Sequence, residues 1–77
     1  MVNWKDFITM DALIQNGKPT VIHARITIEL ILDKLAEGEE VAQILLSHPR
    51  LTKEAVFAAI AFASYSLKSE ITYSIAS

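Results

Sequence analysis

The chain has 77 residues, 52% hydrophobic and 21% charged, with a net charge of −2 and no cysteine. That length makes one small domain, the composition is too apolar for a disordered chain, and the lack of cysteine excludes a disulfide framework or a thiolate metal site. The slight negative charge gives no overall attraction to nucleic acid, so any such contact needs a local basic cluster.

The opening Met1-Val2-Asn3-Trp4-Lys5-Asp6 lacks the cationic stretch and apolar core of a secretory signal, which predicts a soluble, cytoplasmic protein. Residues 1–25 read as an extended arm or short hairpin. Trp4, Phe7, Ile8, Met10, Leu13 and Ile14 follow no helical period, Asn16-Gly17 is a turn dipeptide, and Pro19 holds Lys18 out of the helical region. The β-branched run Thr20-Val21-Ile22 suits a short strand paired with residues near Phe7 to Thr9, across a loop too long for a tight hairpin.

Residues 26–64 read as a three-helix core. Thr27 is placed to cap the first helix, and Ile26 before it can staple onto Ile31. Ile28, Ile31, Leu32, Leu35 and Ala36 form one helical stripe, which Gly38 ends. A second, short helix starts near Glu40 with Val41, Ile44 and Leu45 inward, Glu39 and Glu40 near its positive end, and Pro49 as its stop. The third helix repeats the chemistry of the first, with Thr52 as cap, Leu51 able to staple onto Val56, and Glu54 in the first turn.

That helix carries nine consecutive apolar residues, Ala55 to Ala63. The run is well short of the ~20 residues that span a bilayer. A helix apolar on every side must be enclosed by protein. The expectation is a dimer or larger oligomer whose interface includes Val56, Phe57, Ile60 and Phe62. Residues 65–77 read as a C-terminal helix or tail: Leu67, Ile71 and Ile75 suit a helix face, while Ile71, Tyr73 and Ile75 alternate like a strand. Tyr65, Leu67, Lys68, Ile71, Tyr73 and Ile75 are candidates for binding a second, different protein, with a fourth helix packed inside the oligomer as the competing reading.

Little here spells out a reaction. His23 and His48 have no partner at ligand spacing and read as turn histidines, Glu37, Glu39 and Glu40 read as a solvated helix junction, and neither a phosphate loop, a nucleophile elbow nor a zinc signature is present. No catalytic, cofactor or metal residue is expected. Three helices joined by short turns outline a helix-turn-helix, in which the start of the third helix would reach DNA. The candidate contacts are His48, Arg50, Thr52 and Lys53, with Arg25 either a phosphate contact or a tie to an acidic helix end. Beyond its first turn the third helix offers no Asn, Gln or Arg to read bases, so weak DNA contact by a dimer is the most this pattern predicts.

Asn16-Gly17-Lys18-Pro19, Arg25-Ile26-Thr27-Ile28-Glu29-Leu30-Ile31-Leu32, Leu35-Ala36-Glu37-Gly38, His48-Pro49-Arg50-Leu51-Thr52 and Ala58-Ala59-Ile60-Ala61-Phe62-Ala63, in that order, resemble the small domain-of-unknown-function family numbered 433. The resemblance runs from about Phe7 to Tyr65. It implies a mainly α, homeodomain-like helix-turn-helix fold. It also implies an antitoxin-like role, because many members are labelled antitoxins for being encoded beside a PIN-type ribonuclease toxin. Relatives usually carry Arg-Gly-Thr before the arginine matching Arg25, where this chain has Ile22-His23-Ala24, and an Asp-Pro where it has Asp11-Ala12. Two functions follow as expectations: a regulator that binds such a toxin and DNA, or a homo-oligomeric adaptor with no nucleic-acid role.

Overall fold

The computed structural model describes residues 2–70. Three helices pack over a small antiparallel sheet. The sheet has β1 (Ile8–Thr9), β2 (Thr20–Val21) and β3 (Ile26–Thr27) in the order β1-β2-β3. Ile8 stands opposite Val21 and Thr9 opposite Thr20, so the expected pairing near Phe7 to Thr9 is present. β3 was not expected; Thr20 stands opposite Thr27 and Val21 opposite Ile26. A two-residue strand is too short to show alternation. The pairing of β3 with β2 is extended by the Ile28 N–H, which donates to the Pro19 carbonyl at 2.9 Å, as that of β1 with β2 is by the Ile22 N–H on the Phe7 carbonyl at 2.8 Å.

The connection from β1 to β2 turns through Gln15, Asn16 and Gly17, all with positive φ (49°, 58° and 80°). The Gln15 side chain anchors this turn by donating to the Arg25 carbonyl at 3.0 Å. Between β2 and β3 the chain reverses over Ile22 to Arg25. Here His23 (φ 70°) and Arg25 (φ 56°) are left-handed, and the N–H groups of Ala24 and Arg25 both donate to the Val21 carbonyl. Thr20 is fully buried, and its hydroxyl donates to the Lys18 carbonyl at 2.7 Å, which removes the cost of an unpaired polar group.

α1 (Ile28–Ala36) leaves β3 directly, and the Thr27 hydroxyl accepts from the Leu30 N–H at 3.1 Å, as the cap chemistry predicts. Ile28 and Ile31 are buried and Leu32 and Leu35 pack partly against the core, but Ala36 is exposed. Gly38 (φ 95°) ends the helix. Glu39 and Glu40 do more than solvate this junction. Glu39 pairs with Lys34 at 3.2 Å, and Glu40 forms a reciprocal capping box with Gln43 at the start of α2 (Val41–Ser47). Ile44 is the fully buried residue of α2.

α3 (Lys53–Glu70) is one continuous helix that passes through Ser64 and Tyr65 without a break, so the core helix and the segment read as a helix or tail are one element as far as Glu70. Its inner face is set by small residues: Ala55, Val56, Ala58 and Ala59 are buried with Ile8, Val21, Ile28, Ile31, Ile44 and Leu51. Alanines there let α1 and α2 approach α3 closely. Ahead of the sheet, a single turn of 3-10 helix at Trp4–Asp6 packs on the far end of α3. The Trp4 ring meets Phe62 edge-on at 4.8 Å and lies 5.3 Å from Tyr65. Among the described residues no helix is long and apolar enough to cross a membrane.

Candidate interaction surfaces

The turn between α2 and α3 is built by local bonds. His48 ends α2 with its N–H on the Ile44 carbonyl, and the Leu51 N–H returns to the His48 carbonyl at 2.9 Å, which drives Leu51 into the core and leaves Arg50 outside. Thr52 caps α3, its hydroxyl accepting from the Ala55 N–H at 3.1 Å. His48, Pro49 and Arg50 share a shallow pocket of about 280 Å³ with Ala24, Ile26 and Ser47. The β2–β3 reversal, and Arg25 with it, therefore adjoins the turn that carries Arg50.

Four of the five residues expected to contact DNA thus fall on neighbouring segments, with Lys53 next along the chain. Their side chains are differently occupied. The Thr52 hydroxyl is committed to its cap, and the Lys53 ammonium sits 5.8 Å from the Phe57 ring centroid. Among the described residues, ion pairs join Lys18 to Glu29 and Lys34 to Glu39; neither Arg25 nor Arg50 takes part in one. The tie from Arg25 to an acidic helix end is therefore not formed. What the Arg25 segment supplies is its carbonyl, to Gln15.

The apolar run of α3 divides into two faces. Val56 is fully buried inside its own chain and Phe62 packs against Trp4, so neither is the open interface residue that the sequence suggests. An uninterrupted apolar run carries no amphipathic signal from which to pick the inner face. Phe57 and Ile60 do face outward, 45% and 44% exposed, and Leu67 follows at 59%. Lys68 is exposed, whereas Tyr65, also exposed, already has Trp4 on one side. Ile71, Tyr73 and Ile75 lie outside the described residues.

One feature had no sequence signal. An open, apolar groove of about 490 Å³ runs between α1 and the second half of α3, lined by Ile28, Leu32, Phe62, Ala63, Ser66 and Leu67, with Lys18 and Glu29 at its edge. Those two side chains form an ion pair at 3.3 Å. The groove joins the first turns of α1 to the second half of α3, a long-range juxtaposition that no periodicity reports. Among the described residues no cluster of histidine or carboxylate side chains could hold a metal ion.

No curated protein and no solved structure matches this chain. The family model described as Protein of unknown function (DUF433) matches residues 8–63, which spans all three strands, α1, α2 and the first half of α3. By that match over most of its length, the chain belongs to this family of proteins of unknown function.

Proposed function

We propose that this protein is a small, self-associating protein-interaction module of the cytoplasm, acting as an antitoxin-like regulator that binds a PIN-type ribonuclease through its C-terminal segment from Tyr65 onward. The observation that carries this reading is the outward row Phe57, Ile60 and Leu67, each at least 44% exposed in a 77-residue chain. Burying a side chain of that size is worth about 1.5–3 kcal/mol, which favours covering the row with protein. The toxin half of the proposal rests on family resemblance and is tested directly. The ribonuclease encoded beside this gene, co-expressed with the full chain, should co-purify with it and lose activity; free ribonuclease with undiminished activity would refute the role.

DNA contact is the second part of the proposal, supported by Arg25 and Arg50 on adjoining segments and by Lys53 at the start of α3, directly after the α2–α3 turn. Arg50 and Lys53 from each of two subunits make about four phosphate contacts, so log affinity should fall with log salt at a slope near −3.6. The Arg50→Ala/Lys53→Ala variant should abolish that dependence in a duplex-binding assay. No duplex binding by the parent protein at low salt would favour the homo-oligomeric adaptor instead. That reading has its own support in the committed Thr52 hydroxyl and the apolar body of α3.

A further inference from the structure

The outward residues of α3 follow a heptad. From Phe57 the steps to Ile60, Ser64 and Leu67 are three, four and three residues, the spacing of a coiled-coil seam, and all four side chains are exposed. Lys53 extends the same seam by one step of four toward the helix start. Val56 and Phe62, used inside the chain, lie off it.

The charges beside the seam distinguish how a second helix could lie on it. Glu54 and Lys68 are exposed, near opposite ends of α3, and neither takes part in an ion pair among the described residues. They are 14 residues apart, about 21 Å along a helix axis. If a second α3 runs antiparallel, with the two-fold axis beside residue 62, Phe57 opposes Leu67 of the partner subunit and Ile60 opposes Ser64 of the partner subunit. The same register sets Glu54 against Lys68 of the partner subunit, and by symmetry this occurs twice, once at each end. Ala61 meets its own copy at the axis, where a small side chain permits close approach. In a parallel pair the heptad instead sets Lys68 against Ala63 and Glu54 against Pro49, with no charge matched.

We infer that two copies of this chain pair through an antiparallel α3–α3 seam of Phe57, Ile60, Ser64 and Leu67, closed at both ends by Glu54–Lys68 ion pairs between subunits. This rests on the self-association reading above and supplies its geometry. It has two structural consequences. Phe57 of the partner subunit packs against Leu67 at the lip of the apolar groove, which extends the buried surface beyond the helix pair itself. Lys68 of the partner subunit also neutralises Glu54, the carboxylate beside the Arg50–Lys53 turn that would repel a phosphate.

The test is a charge-reversal cycle read by sedimentation equilibrium at low salt, with circular dichroism to verify that each variant is folded. Glu54→Lys and Lys68→Glu should each weaken the dimer about tenfold, since each replaces two attractions by two repulsions. Glu54→Lys/Lys68→Glu should restore the parental dissociation constant, although it is the variant with the least favourable charges at both helix ends. A parental dimer whose double variant is no tighter than the single ones overturns the antiparallel register and leaves self-association standing. A parental protein that stays monomeric at 100-micromolar concentration overturns both. Phe57→Ser provides an independent check: it changes an exposed residue and should yield a folded monomer, whereas an unaltered dimer would refute the seam.

Discussion

His23 occupies a backbone position built for glycine, and replacing it should stabilise the protein. Its φ of 70° lies in the left-handed region, where an L side chain costs roughly 1–2 kcal/mol, somewhat less for histidine than for a branched residue. The side chain is exposed and has no hydrogen bond or ion pair among those described, so His23→Gly forfeits no polar interaction. Glycine brings back an entropic cost of about 0.5–1 kcal/mol, because it gains more freedom on unfolding. The balance is a gain of about 0.5–1 kcal/mol. For 77 residues the unfolding entropy is about 160 cal/mol/K, which converts that gain to about 3–6 °C in melting temperature. Thermal unfolding followed by circular dichroism measures it, with Ala24→Gly as the matched control. Ala24 is not among the positive-φ residues and packs partly against the core, so its substitution brings the entropic cost together with the loss of a methyl contact and should lower the melting temperature by at least as much. If His23→Gly destabilised the protein as Ala24→Gly does, the left-handed strain would not be stored at this position.

Two further outcomes follow from local geometry. Thr52→Ala removes the acceptor for the Ala55 N–H and should cost about 1 kcal/mol of stability; a serine at the same place should retain most of it, and an unchanged melting temperature for the alanine variant would exclude the cap. Trp4→Ala unpins the second half of α3. We expect a loss of about 2 kcal/mol, below that of a fully buried ring, with faster hydrogen exchange from Phe62 onward and little change at Ala55 to Ala59.

Where side chains bond to their own neighbours in sequence, the chain was legible. Thr27 and Thr52 cap the helices they precede, Gly38 and the turn before Pro49 stop them, and the β-branched run at Thr20 finds its strand near Phe7. The Glu40–Gln43 box obeys the same local rule and adds a reciprocal side-chain cap to the helix start that Glu39 and Glu40 favour by their charge. Long-range choices were less visible. Nothing in an all-apolar run tells Val56 from Phe57, since only the arrival of α1 and α2 on one side makes the difference. Serine disfavours helix and five of the last 14 residues are serine, yet α3 reaches Glu70, with Trp4 packed on its second half at Phe62 and Tyr65. Of the candidate contacts, the Arg25 and Arg50 segments are brought together by the β2–β3 reversal. Local chemistry gives no hint of it, because the reversal places His23 and Arg25 in the left-handed region that favours glycine, and neither residue type announces such a turn.

Trp4 is the chain's only tryptophan, and its indole touches the part of α3 that lies nearest the proposed partner surfaces. The molecule therefore carries a built-in fluorophore at the place where binding would be felt. Tyr65, 5.3 Å away, is well within range to pass excitation to it, so emission excited through tyrosine reports whether the two rings remain together. A ligand that straightens or displaces the end of α3 will change the colour and yield of that emission without any label attached. Titrations with a second copy, a ribonuclease or a DNA duplex can be followed on the unmodified protein in one cuvette.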